Sequence, residues 1–458
     1  MSVSKPLNDL QAYAEQFIQD HKIPAISVAI WKDNRLTTAA AGCLNQDTGG
    51  VATTESIFQI GSITKVMTTS LVMQLVDEGK VDLDRPVKHY LQDFMIADAE
   101  ATSTITVRHL LCHISGIAGD YFPDDSGQQG NLIARYVDRC SLLPLVHPVG
   151  EMWSYSNAAF AIAGRLVEVV RGISWYQAMQ DYLYTPLGMD QAIVDPKDMI
   201  RFSTAAGHIY EGNNTDSWIV PKQPFLTMGQ APAGTTPAMT AENLIRFARA
   251  HMENGFNQQE QSWLSAGSIA EMQKSQMELP KASQISAKHT GLGWGITEFD
   301  NPPLRVLSHG GGTNGFLSML QLIPEQNAAF AVLINGFRPS AIEALTGELL
   351  GALADIKLQQ PEPSSQKPIA ELNQIAGVYE SFDTLITVTA TADKLQATIV
   401  YKIDPLPPLD LDLRHVEEGC FAPYTKEGNR CPNVVFVKPD KNGVPQYIFN
   451  GGRLSRRL

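Results

Sequence analysis

Ser62 and Lys65, in Gln59-Ile-Gly-Ser-Ile-Thr-Lys-Val-Met67, set a hydroxyl and an amine at i and i+3. Apolar residues at Ile63, Val66, Met67, Leu71, Val72, Leu75 and Val76 keep helical spacing. The stretch therefore predicts a helix that opens at Ser62, with both side chains on one face. A serine hydroxyl becomes a nucleophile when a base takes its proton, and an amine half-buried at a helix start has a lowered pKa. The plain alternative is an N-cap, with the hydroxyl accepting a backbone N–H.

Three other stretches offer groups to this pair. Trp153-Ser-Tyr155-Ser-Asn157 leads from a loop into a helix, and Tyr155 and Asn157 lie two apart, so both point one way from an extended segment. Without a partner they read as a core aromatic and an N-cap. Ser308-His309-Gly-Gly-Gly-Thr-Asn-Gly-Phe316 has four glycines in residues 310–315, more than a tight turn requires. Glycines let a backbone approach a ligand closely, which would leave His309 at a strand end beside a cleft. The alternative is a glycine-rich hairpin turn with an incidental histidine. Trp294, in Gly291-Leu-Gly-Trp-Gly295, reads first as core packing and second as a substrate contact.

The elements that must position these groups follow from pattern. An amphipathic helix at 7–21 precedes a hairpin of strands 25–31 and 35–41 about Lys32-Asp-Asn34. The region 82–226 is helical and loop-rich, with helices at 157–171 and 175–187; two more follow at 241–254 and 268–276. Strands return at 293–297, 304–308, 316–323 and 328–334, before a helix at 339–353. Strands bracketing a helical middle predict an α/β (α+β) fold: one antiparallel sheet flanked by helices, with a helical subdomain inserted. Gln359-Gln-Pro-Glu-Pro-Ser-Ser-Gln-Lys-Pro368 is a linker by composition. Short alternating strands after it predict a small all-β domain, a barrel or a sandwich. The expected domains are 1–358, a linker at 359–369, and 370–458.

Composition narrows the function. The chain has 458 residues, 44% hydrophobic and 18% charged, ordinary for a globular protein with a large core. A net charge of −13 argues against nucleic acid and anionic membrane surfaces as partners. The N-terminus shows no basic and apolar leader, and no apolar run reaches a membrane span, so the expected location is cytoplasmic. Five scattered cysteines, without C-x-x-C spacing, predict neither a disulfide framework nor a metal site; Cys420 and Cys431 are the one pair a hairpin could bring together. The loop at 229–238 and the polar segment Tyr121 to Gly130, a lid or a surface loop, have no assigned role.

Taken together, Ser62-Ile-Thr-Lys65, Tyr155-Ser-Asn157 and His309-Gly-Gly311 resemble the three motifs of the serine β-lactamase and penicillin-binding-protein superfamily, in its class C-like branch. His109-Leu-Leu-Cys-His113-Ile-Ser-Gly116 and Pro186-Leu-Gly-Met189 match lesser features, and the resemblance covers about residues 8–355. It implies acyl transfer without metal or cofactor: Ser62 attacks a carbonyl, Lys65 or Tyr155 serves as base, and Asn157 orients Lys65. The oxyanion hole would be the backbone N–H of Ser62 and, by analogy, of Gly311. Gly310 and Gly311 would line the substrate strand, and His309 would bind a carboxylate or relay a proton. Histidine replaces the lactamases' lysine in the third motif, which argues against lactam hydrolysis. The tail opening Leu372-Asn-Gln-Ile-Ala-Gly-Val-Tyr379 resembles a lipocalin-like domain. This layout is similar to penicillin-binding-protein-type thioesterases, which cyclise carrier-bound nonribosomal peptides, typically at a D-residue. A cytoplasmic esterase or D-stereospecific peptidase is the alternative, and a catalytically inactive binding protein is the alternative of another class.

Overall fold

The computed structural model describes residues 8–458 apart from 126, 212–213, 257–260, 281–286, 359–361, 365–368, 392–393, 404–405 and 427. Most of the expected linker falls outside the described residues.

Nine antiparallel strands form the main sheet, in the order Gly50–Val51, Arg35–Asn45, Ala25–Lys32, Ala328–Ile334, Phe316–Ile323, Pro303–Thr313, Gly295–Asp300, His289–Thr290, Met277–Glu278. The two ends of the catalytic region meet at its centre, where Ile26 pairs with Ile334 and Ile30 with Phe330. Alternation assigns each strand's side chains to opposite faces. Ala29, Ala329, Ala331 and Leu333 pack toward the helical subdomain. Ile26, Val28, Ile30, Phe330, Val332 and Ile334 pack under helices Leu10–His21 and Pro339–Ala354. With both faces covered, all seven residues of Ala328–Ile334 are buried, which explains a run of apolar residues without polar alternation. The first hairpin turns on Asp33 and Asn34, both at positive φ (50° and 59°), the left-handed pair that fits a two-residue connection.

The helix Thr64–Asp77 is buried from Thr64 to Leu75, on every face rather than one. Its hydroxyls bond internally: Thr68 Oγ1 donates to Pro232 O (2.8 Å), and Thr69 Oγ1 to Lys65 O (2.9 Å). The segment 309–313 is continuous strand, His309 opposite Leu320 and Gly311 opposite Ser318, so only Asn314-Gly315 forms the turn. The helix expected to reach residue 187 is α-helical at Trp175–Met179 and relaxes into one π turn at Gln180–Tyr184.

After helix Ile369–Ile375, eight strands from Gly377–Glu380 to Arg453–Arg457 close into a barrel, sealed where Tyr379 pairs with Arg457. Its interior is filled by Ile386, Val388, Ile399, Leu411, Phe421 and Phe436 among others, as an eight-stranded barrel allows. The barrel rests on the catalytic region through a second cluster: Met152 packs with Cys420, Val435, Tyr447, Phe449 and Leu454, and Trp153 lies 5.7 Å from Phe449, centroid to centroid. All five cysteines are free thiols.

Candidate active site

Gly61 and Ser62 sit in a single 3-10 turn, Gly61–Ile63, that feeds the buried helix. Neither this turn nor the helix has a side-chain cap, so the hydroxyl of Ser62 is not spent on a backbone N–H. Lys65 Nζ lies 3.0 Å from Ser62 Oγ. It also bonds Asn157 Oδ1 and Ala233 O, each at 2.7 Å. Those two oxygens only accept, so they take two N–H bonds. The third direction of the amine points at Ser62 Oγ.

Charge agrees with geometry. Lys65 is fully buried. Burial first, and the Arg453 guanidinium second, hold its pKa well below the ordinary lysine value, with Asp120 opposing them. The Tyr155 ring centroid lies 4.8 Å from Lys65 Nζ. Burial pushes the phenol above the ordinary tyrosine value, against Ser62 and Arg453. The phenol is thus neutral at physiological pH, and burial disfavours the charged form of Lys65 beside it.

The Tyr155 segment is held from both sides. His113, at φ 59°, stacks its ring on Tyr155 at 4.3 Å and accepts the Ser156 N–H at Nδ1 (3.0 Å). From the barrel, Gly452 O accepts the Tyr155 N–H at 2.9 Å, and the Leu454 N–H donates to Ser154 Oγ at 3.2 Å. Ser156 caps the helix Asn157–Arg171 by accepting the Ala159 N–H, which frees the Asn157 side chain for Lys65.

The third motif lines the opposite wall. A Cβ on Gly311 would stand 2.0 Å from Ile60 O and 2.4 Å from Ser318 Oγ; one on Gly61 would stand 2.6 Å from Gly312 N. Gly234, at φ 115°, backs onto Gly61 in the same way, its Cβ position 2.1 Å from Gly61 O. The glycines therefore let backbone lie on backbone around Ser62. Ser318 Oγ donates to Ile60 O at 2.7 Å and pins the turn. His309 Nδ1 lies 2.6 Å from Gly310 O, so Nδ1 carries the hydrogen and Nε2 the lone pair. Burial first, and Lys65 second, hold its pKa down at about 3.

Ser62, Lys65, Tyr155, Asn157, His309, Gly310 and Gly311 thus come together at one site. Trp294 does not. It is 1% exposed, inside the core against His251 and Phe247, so it has no surface for a substrate and is corrected to a packing residue. Sequence reasoning missed three partners. Ala233 acts through a backbone carbonyl, which no residue type announces. Asp120 accepts from Asn157 Nδ2 at 2.7 Å. Arg453, in the barrel, reaches Asp120 with Nε (2.7 Å) and Nη2 (3.1 Å) and places its guanidinium 4.7 Å over the Tyr155 ring. The Tyr121 segment is anchored in its described part: Asp125 accepts the N–H of Met228 and Gly229, and Tyr121 meets Phe382 of the barrel edge-on. Among the described residues no cluster of metal-ligating side chains occurs, and no helix is long and apolar enough to cross a membrane.

Known proteins resemble the chain in sequence and in fold. The chain is 37% identical to "Penicillin-binding protein 4" of Amycolatopsis lactamdurans over 364 residues, 79% of this chain and 94% of that protein. SurE, solved with D-Leu, is similar over 98% of both chains, barrel included, with a TM-score of 0.75 at 25% identity. The D-amino acid amidase of Ochrobactrum anthropi SV3, solved with D-phenylalanine, shares the fold over 77% of this chain and all of its own, with a TM-score of 0.63 at 19% identity. A family model described as Beta-lactamase matches residues 10–353. The chain therefore belongs to the beta-lactamase family of serine hydrolases and acyltransferases, related to the penicillin-binding proteins.

Proposed function

We propose that the chain is an acyltransferase that takes a peptidyl ester or thioester ending in a D-residue and closes it head to tail. The observation that carries the chemistry is the Lys65 arrangement, two obligate acceptors on its N–H groups and its third direction on Ser62 Oγ. Ser62 Oγ attacks the acyl carbon while Lys65 takes its proton. The tetrahedral oxyanion is met by the Ser62 N–H and by an N–H of the glycine strand. Gly311 is the expected donor, and the strand amide nearest Gly61 is that of Gly312. The C–O or C–S bond to the carrier breaks, and the leaving group takes a proton from Lys65 or Tyr155. An amine then attacks the acyl-enzyme, gives its proton back through Lys65, and releases Ser62. His309, neutral with a free lone pair at Nε2, suits proton relay better than carboxylate binding.

Likeness to SurE, solved with D-Leu, over 98% of both chains supports the D-residue, and the cyclase reading rests on the layout of motifs and barrel. Action in the cytoplasm on a carrier-bound peptide belongs to the same proposal. The second reading is hydrolysis of a D-amino acid amide or ester, favoured by the amidase's similar catalytic fold.

The test offers a linear peptide ester with a C-terminal D-residue. A cyclic product is expected, and free acid alone moves the assignment to hydrolysis. A fluorophosphonate should label the chain, and Ser62→Ala should remove the label. An unlabelled wild-type chain would leave only the inactive binding protein.

A further inference from the structure

We propose that Asp120 is a positioning residue for Lys65: it fixes which end of the Asn157 amide faces the lysine, and Arg453 of the barrel holds it in place to do so. The inference rests on the reading of Ser62 as nucleophile and Lys65 as base.

A carboxylate accepts hydrogen bonds and donates none. Asp120 Oδ1, 2.7 Å from Asn157 Nδ2, therefore selects the amino end of that amide. The oxygen is left to face Lys65 at 2.7 Å. Were the amide flipped, its NH₂ would point at Lys65. A neutral amine would have to accept that bond with its lone pair, and the lone pair would leave Ser62. One carboxylate, three hydrogen bonds from the nucleophile, thus decides whether the base is aimed.

Asp120 is in turn gripped by a fork of two bonds from Arg453, whose Nη1 also donates to Gly451 O at 2.8 Å. Gly451 and Gly452, at φ 55° and 84°, form the tight turn that brings Arg453 to the catalytic cleft. The relay Arg453–Asp120–Asn157–Lys65–Ser62 joins the barrel to the nucleophile. The titratable groups around Lys65 are Tyr155, His113, His309, Asp120 and Arg453, with Asp383 of the barrel next to the ion pair. Burial would raise the Asp120 carboxyl, and Arg453 overrides it and keeps the group ionised. Arg453 lowers the lysine's proton affinity and Asp120 raises it.

The experiment measures the second-order rate of fluorophosphonate labelling against pH, on the full chain. Wild type should show an acid limb where Lys65 becomes protonated. In Asp120→Asn the plateau should fall about tenfold, part of what an aimed general base provides. Its limb should move to lower pH, because an anion that favours the ammonium is gone. In Arg453→Gln the limb should move to higher pH, and in Arg453→Lys it should stay near wild type. Opposite shifts report the two charges acting on Lys65, and the lower plateau of Asp120→Asn reports the lost aim of the base. Limbs that do not move, or that move the same way, overturn the proposal. Should circular dichroism show Asp120→Asn unfolded, Arg453→Gln decides alone: an alkaline shift supports the relay and any other result overturns it. A wild-type chain without labelling takes the acyl-enzyme reading down as well, whereas a labelled wild type with unmoved limbs removes only the role of Asp120.

Discussion

The two walls of the cleft are built by different physics. On one side, Gly61, Gly234 and Gly311 lie backbone against backbone, with no room for a methyl group. On the other, Tyr155 and Asn157 are held by rings, a carboxylate and a guanidinium that comes from another part of the fold. The first wall is set by excluded volume, which is indifferent to pH and salt. The second is set by charge and hydrogen bonding, which are not. Lys65 spans both, bonding Ala233 on the first side and Asn157 on the second. The contrast teaches that the nucleophile is positioned sterically while its base is positioned electrostatically.

The sharpest way to break the steric wall is Gly311→Ala. A Cβ 2.0 Å from Ile60 O must displace the turn that carries Ser62. Acyl transfer should fall about 100-fold, the scale on which ångström misplacement acts, and the melting temperature should drop with it. Near wild-type turnover would show that the glycine strand yields more than its packing implies.

Acid should test the other side. His309 and His251 have pKa values near 3 in the fold against 6.5 as the ordinary value, each lowered mainly by burial. Between those limits the unfolded chain binds protons that the native chain does not, so stability rises with pH across the window. Melting temperature should fall as pH drops from 6.5 toward 3. Asp120 is kept below its ordinary 3.8 by Arg453 against burial, so its stabilising contribution is present above 3.8 and is lost at the acid end. A flat melting profile from pH 6.5 to 4 would contradict neutral, buried histidines. Smallest of all should be Lys438→Ala, which removes the exposed ion pair with Glu151 at the barrel seam. Exposed pairs contribute about 0–1 kcal/mol, and denaturant titration should find no more. A larger loss would mean that the seam is held by charge rather than by Met152, Phe449 and Leu454.

Legibility followed the same division. The hairpin at Asp33-Asn34, the helix beginning at Asn157 and the apolar strands at 316–334 could be read because each records its own environment in local pattern. The glycine run 310–312 was read as positioned for close approach, yet whether it was turn or strand depended on a pairing with Phe316–Ile323 and on the Ser62 turn pressed against it. For Trp294 core packing is the reading that its burial bears out, and the second reading as a substrate contact fails because a tryptophan between glycines looks the same in a core as at a binding surface.

By itself the sequence determined the chemistry available: a hydroxyl and an amine one helical turn apart, a tyrosine and an asparagine entering a helix, and a histidine before glycines. Tertiary structure alone decided which way each group points. Asp120 and Arg453 meet across a separation of 333 residues, and the Ala233 contact is made by a backbone carbonyl that any residue type carries. Hydrogen bonds of this kind are fixed by distance and direction in space, and a linear spacing encodes these only within one helical turn or one strand.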